Sequence, residues 1–210
     1  MGGSMFKSLS QLLLSIFFAG CSMVGIRNSA EAGYTLIEQH GEIEIRQYAP
    51  ILVAETVIDA DYANSGSIGF NRLAGFIFGN NRNQEKVAMT TPVYREPGNE
   101  KIAMTAPVLQ QKTSNQWRMA FVMPTEYTLE SLPVPIDPLI EIKQIPAKKV
   151  AVIRYSGSLN EENINQKANE LTNWLQQRGL KILSPARSAA YDPPWTLPAL
   201  RRNEVHIDIE

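Results

Sequence analysis

The 210-residue chain holds one cysteine and two histidines. A single cysteine excludes an intrachain disulfide and a CxxC redox centre, and a Cys/His zinc site would need all of these residues or added carboxylates. Charge of one sign is also missing. Twenty Lys plus Arg stand against twenty-one Asp plus Glu, a formal net charge of −1, so no bulk positive field draws the chain to nucleic acid. The apolar run Leu12 to Phe18 is too short to span a bilayer comfortably. What is present, 44% hydrophobic and 20% charged residues, is enough to bury one full core in a single globular domain.

The N-terminus reads as an address. Met5-Phe6-Lys7 followed by Leu12-Leu13-Leu14-Ser15-Ile16-Phe17-Phe18 has the form of a secretory signal. The ending Phe18-Ala19-Gly20-Cys21 is similar to the bacterial lipobox, which predicts a lipoprotein-type signal over residues 1–20, a lipidated Cys21 and a tether over 21–33. Ala30-Glu31-Ala32 before Gly33 fits ordinary secretory cleavage, the soluble exported alternative.

The body of the chain repeats itself. Ile43-Glu44-Ile45-Arg46-Gln47-Tyr48 matches Ile140-Glu141-Ile142-Lys143-Gln144-Ile145, 97 residues later. Each copy leads into a β-rich run, 51–58 or 150–155, then a polar patch, then a helical pattern ending at Gly79 or Gly179. Each half therefore reads strand, strand, helix, strand, strand, with halves at about 34–130 and 131–210. Two copies at that spacing suit a pseudo-twofold α+β domain of antiparallel sheet with two packed helices.

The second helix carries Ser158-Leu159-Asn160-Glu161 as a capping box, an apolar face of Ile164, Ala168, Leu171 and Leu175, and Gly179 as its stop. In the first, Ser67 or Asn64 is the expected cap, and Phe70, Leu73, Phe76 and Ile77 form the apolar face. Gly69 and Gly75 each cost about 1 kcal/mol against Ala, tolerable where another backbone or a flat ligand must come close. A tighter repeat, Lys86 to Val93 against Lys101 to Val108 around Glu96-Pro97-Gly98-Asn99, predicts a hairpin whose strands end at proline. Its paired Met89 and Met104 sit at strand spacing among Val, Ile and Ala, where methionine fills cores more often than it ligates metal.

Nucleophilic catalysis finds little support. Ser65-Gly66-Ser67-Ile68-Gly69 lacks the first glycine of a nucleophile elbow and follows no core strand. His40 falls in a turn, and alternation in Val205-His206-Ile207-Asp208-Ile209 points His206 away from the apolar trio and outward. The C-terminal stretch Tyr191 to Glu204 is richer. Its prolines make a rigid loop carrying Tyr191, Pro194, Trp195, Leu197 and Leu200 beside Arg201 and Arg202, a composition suited to a flat, hydrophobic, acid-bearing ligand. A loop that merely closes the sheet would use the same residues.

Ile45-Arg46-Gln47-Tyr48, the Met-Thr-x-Pro-Val cores near 89 and 104, Phe121-Val122-Met123-Pro124, Tyr155-Ser156-Gly157 and Tyr191-Asp192-Pro193-Pro194-Trp195 through Arg201-Arg202-Asn203-Glu204-Val205 resemble the SOUL haem-binding family. That resemblance implies a pseudo-twofold, distorted eight-stranded antiparallel barrel flanked by two helices over residues 34–210. It implies a non-catalytic carrier or buffer that holds haem or another tetrapyrrole non-covalently in a shallow groove between the first helix and the loop before the last strand. By position it assigns Phe70, Arg72, Leu73, Phe76, Ile77, Tyr191, Pro194, Trp195, Leu197 and Arg201 to the groove, with Arg72 and Arg201 toward the propionates. Gln47 stands where some members have a proposed histidine ligand, which leaves Tyr191 as the weak candidate for iron. The alternative is a non-haem effector-binding or protein-interaction module using the same groove.

Overall fold

The computed structural model describes residues 29–98 and 116–210. The expected signal over 1–20, Cys21 and the second arm of the expected hairpin, 101–108, lie outside the described residues. The first half supplies β1 (Ala30–Glu31), β2 (Tyr34–His40), β3 (Ile43–Tyr48), β4 (Ile51–Asp59), α1 (Tyr62–Ile77), β5 (Thr90–Thr91), β6 (Val93–Pro97) and β7 (Gln116–Val122). The second supplies β8 (Ile140–Ile145), β9 (Lys148–Tyr155), α2 (Glu161–Gln177), β10 (Arg187–Ala190), a 3-10 turn at Pro198–Leu200 and β11 (Asn203–Ile209).

Nine strands form one antiparallel sheet in the order β2-β3-β9-β11-β10-β6-β7-β4-β8. Setting β2 aside leaves the eight strands that the duplication predicts. Exchanging the halves, β3 for β8, β4 for β9, β6 for β10 and β7 for β11, reverses that order onto itself. Each half hands its first strand to the other: β3 pairs with β9, and β8 pairs with β4. The sheet is therefore a curled α+β half-barrel with β2 added at one edge.

Side-chain alternation sorts the core into layers. α1 buries Leu73, Phe76 and Ile77 against Ala54 and Ile58 of β4 and Met119 and Phe121 of β7. α2 buries Leu171 and Leu175 against Ala151 and Ile153 of β9 and Val205 and Ile207 of β11. On the other face the curl brings Tyr48, Tyr94, Val150, Val152 and Tyr191 together.

Several local expectations change. Asp61, not Asn64 or Ser67, caps α1, its carboxylate accepting the Asn64 N–H at 2.8 Å. Asn160, not Ser158, caps α2, accepting the Asn163 N–H at 2.9 Å. Either placement starts the helix at the first side chain able to reach the free N–H groups. Residues 86–89 are not a strand; Thr90–Thr91 pairs in parallel with β1, and the longer strand begins after Pro92 and pairs with β7 and β10. Pro92 has no N–H for the ladder, so it divides the two strands where the sequence suggested an end. The expected tether, 21–33, overlaps the fold at its C-terminal side. Ala32 is buried and donates its N–H to the Thr91 carbonyl at 3.0 Å, so residues 30–32 belong to the fold.

Candidate functional site

Three of the sequence motifs converge on one carboxylate. β11 carries Glu204, fully buried, which accepts from Arg46 of β3 at 2.8 and 3.0 Å, from the Tyr191 hydroxyl at 2.7 Å and from Arg202 Nε at 2.9 Å. His206 Nε2 lies 2.8 Å from the same carboxylate. Burial alone would raise the Glu204 carboxyl, but the His206 hydrogen bond and the Arg46 guanidinium outweigh it and hold it well below the usual carboxylate range. Arg46 also donates to Glu44 at 2.6 Å and to the Tyr48 hydroxyl at 3.1 Å.

His206 is thus a correction. It is 0% exposed, between the rings of Tyr94 at 5.4 Å and Tyr48 at 6.1 Å. Alternation placed it opposite Val205 and Ile207 correctly, but in a curled sheet that second face is also interior. Burial pushes its imidazole down to about 4 against the pull of Glu204, so it is neutral at pH 7. Tyr191 is a second correction. It is 5% exposed, and burial first, then the adjacent Glu204 charge, raise its phenol well above the ordinary value, which disfavours the phenolate that iron would need.

The same motif locks the loop between β10 and β11. Arg201 donates from Nε to the Thr196 carbonyl at 2.7 Å and from Nη2 to the Pro194 carbonyl at 2.6 Å. The Arg202 N–H donates to Asp192 at 2.6 Å, its guanidinium reaches Glu31 at 2.9 Å, and it stacks 3.9 Å from the Tyr191 ring centre. Asn203 donates to the Gly157 carbonyl at 3.0 Å. Held this way, the loop exposes Trp195, at 66%, together with Pro194, Leu197 and Leu200.

α1 and this loop meet at one end of the sheet. Tyr62 donates to the Leu159 carbonyl at 3.3 Å, and the Gly157 N–H donates to the Pro198 carbonyl at 2.8 Å, so the turn at 156–160 bridges them. The helix face named from sequence does not look into that space. Leu73, Phe76 and Ile77 are each 0% exposed and pack on the sheet, because a helix lying on a sheet uses its main apolar stripe for the core. Phe70 is half-buried, 5.4 Å from the Phe121 ring centre, whereas Ile68 and Phe78, which the sequence reading passed over, are exposed. Arg72 donates to Thr56 Oγ1 at 2.7 Å and lies 3.4 Å from Asp137, so its charge is already partnered. Gln47 shares the α2-facing side of β3 with Ile43 and Ile45, away from α1.

Two cavities lie elsewhere. One of about 570 Å³ is lined by residues 30–33, Ile51, Met89 and the segment 122–130. One of about 270 Å³ opens on the curled face between Tyr48, Tyr94, Arg118, Lys148, Arg187 and Asp208. Neither is lined by the groove residues named from sequence.

The architecture is a palindromic α+β half-barrel with both helices on one face and an apolar, self-clamped loop at one end. The particular family is fixed by sequence: residues 29–208 match the family described as "SOUL heme-binding protein", and the chain belongs to it. Heme-binding protein 2 of Mus musculus is 26% identical over 174 residues, covering 80% of this chain and 78% of the mouse protein. Among solved structures, the EcmrR C-terminal domain superposes with a TM-score of 0.56 at 11% identity, covering 84% of this chain and 98% of that one. An uncharacterized conserved protein from Listeria innocua gives 0.58 at 10% identity, covering 80% and 92%. At such identities the structural matches speak for the fold alone.

Proposed function

We propose that the chain is a non-catalytic carrier or buffer for haem or another tetrapyrrole, bound on the exposed apolar surface of the 194–200 loop and the adjoining free side of α1. The observation that carries this reading is the loop itself: Trp195, Leu197 and Leu200 stay in solvent on a segment pinned by Arg201 and Arg202. Apolar side chains held rigidly in water lower the ordering cost of receiving a flat ring. Trp195, Pro194 and Leu197 would cover one ring face, and Ile68 and the open part of Phe70 would contribute from α1.

Arg201 is hydrogen-bonded to two neutral carbonyls, so its charge is available to a propionate. Arg72 would first have to leave Asp137. The fit to iron is poorer than the fit to porphyrin. His206 is sealed inside, Tyr191 is committed to Glu204, and His40 pairs with Glu38 and stacks near Trp174. Haem and metal-free protoporphyrin are therefore expected to bind with similar affinity. Titration of both by absorbance and tryptophan quenching tests this, and a strong preference for the iron form refutes a porphyrin-dominated mode. Lack of any tetrapyrrole binding would favour the non-haem effector or interaction module.

We also propose export, with residues 1–20 as the signal and Cys21 lipidated on the outer side of the membrane. The place of residues 30–32 in the fold supports processing before Cys21, since cleavage after Ala32 would remove β1. Mass analysis of the mature N-terminus decides between the two sites.

A further inference from the structure

The internal symmetry is broken at one place. β2 covers the outer edge of β3, but among the described residues nothing pairs with the outer edge of β8, the equivalent strand of the second half. The stretch equivalent to β2 is 131–137, and Pro133 and Pro135 within it cannot complete a ladder. It runs instead toward the end of α1, where Pro135 bridges Asn81 and the Val134 carbonyl accepts the Arg82 N–H at 3.0 Å.

The two free edges differ. β2 carries a register shift between Leu36 and Glu38, and a bulge of that kind spoils an edge for further pairing. β8 pairs with β4 without a break over six residues, from Ile140 opposite Thr56 to Ile145 opposite Ile51. Exposed Leu139, Ile136 and Val134 lead into it. A regular, uncovered edge with apolar neighbours is a template for another strand.

We propose that β8 pairs antiparallel with β8 of a second copy of this chain, closing a twofold dimer. The strand's own charges identify the partner and the register. In an antiparallel ladder, hydrogen-bonded and non-bonded residue pairs alternate, so a twofold axis must pass midway between a residue and its own copy directly opposite. Centring on Glu141 or Lys143 sets like charges face to face. Centring on Ile142 sets Glu141 opposite Lys143 twice, Ile142 opposite Ile142, and Leu139 opposite Ile145. Ile140 then lies opposite Gln144. Of these three central registers, only the last avoids a like-charge pair and makes two opposite-charge pairs, and opposite charges across a ladder stabilise where like charges destabilise.

The test is sedimentation velocity on the full chain from about 1 to about 100 µM, with circular dichroism to verify the fold. The wild-type chain is expected to dimerise within that range. Glu141→Lys should weaken the dimer about tenfold or more, by turning both charge pairs repulsive. The double exchange Glu141→Lys with Lys143→Glu should restore it. In the double variant the lysine introduced at position 141 lies opposite Glu55, which Lys143 contacts at 2.8 Å in the native chain, so the intrachain pairing has a substitute. As a readout independent of charge, Ile142→Cys in a Cys21→Ser background should form an interchain disulfide under mild oxidation, with Glu130→Cys as a control that should not. A wild-type chain that stays monomeric, a Glu141→Lys chain that dimerises as well as wild type, or failure of the Ile142→Cys chain to cross-link overturns the proposal.

Discussion

Removing the charge at Glu204 should destabilise the domain far more than removing a charge from its surface. Glu204→Gln keeps the shape but puts an amide where Arg46, Arg202, the Tyr191 hydroxyl and His206 now share one carboxylate. Glu44 and Glu31 remain as partners for the two arginines, so the guanidinium groups are not stranded. Even so, Arg46, itself fully buried, is left with one neutralising carboxylate, and the new amide hydrogens face other donors. Breaking a buried ion pair by removing one partner costs about 3–5 kcal/mol. For a domain of this size that corresponds to roughly 6–20 °C in Tm. Tyr191→Phe, which removes one hydrogen bond to a charged group, should cost less, about 1.5–3 kcal/mol. Urea and thermal unfolding followed by circular dichroism measure both. A Glu204→Gln loss below about 1 kcal/mol would mean that the cluster is no more coupled than a surface pair, and the reasoning would fall.

The same cluster sets an acid limit on stability. The folded state holds His206 near 4, below its unfolded value of 6.5, so the unfolded chain binds the extra proton first and stability falls as pH drops from about 6.5 to about 4. Glu204, lowered in the fold, adds a further loss as pH falls below the ordinary carboxylate range; His206→Gln should flatten the upper part of this profile in pH-dependent urea titrations. Gly69 and Gly75, two of the three glycines in α1, should respond with opposite sign. A methyl at Gly69 would meet Ile58 at 2.9 Å and Met119 at 3.1 Å, so Gly69→Ala should destabilise by about 1–3 kcal/mol. Gly75 has only Asn80, at 4.0 Å, so Gly75→Ala should stabilise by about 0.5–1 kcal/mol, both read from Tm. Trp195→Ala, at an exposed position, should leave Tm within about 1–2 °C while weakening tetrapyrrole affinity about tenfold, and unchanged affinity would move the site. Phe76→Ala should do the reverse, costing about 3–5 kcal/mol of stability, and a chain that stays as stable as wild type would remove Phe76 from the core.

The duplication was legible because it is written in period-two and helical patterns that survive divergence, and β3, β4, β8 and β9 fall where the repeat put them. The Glu204 cluster was not, because alternation distinguishes two faces of a strand but not whether the second face meets water. Its trace was present all the same. Glu44, Arg46 and Tyr48 alternate on β3, and Glu204, His206 and Asp208 alternate on β11, polar residues of complementary charge on strands otherwise filled with Val and Ile. The α1 face is hard to read for a related reason. The strongest apolar stripe of a helix marks its core contact, here Leu73, Phe76 and Ile77, and Ile68 and Phe78 are the apolar side chains left exposed. Arg201 also clamps backbone five and seven residues away, a contact invisible in the sequence because its geometry depends on the turn of the loop.

The reversed strand order has a consequence for how such a chain could have arisen. In each half the second, third and fourth strands lie side by side, while the first lies across the molecule on the other half. A single half alone would therefore end in a loose strand at one side and an uncovered one at the other. Two identical halves could repair both defects only by trading arms, so the single-copy version of this architecture is an intertwined pair. Joining its two members end to end, through the connection that now runs from 123 to 139, converts a concentration-dependent assembly into a unimolecular one.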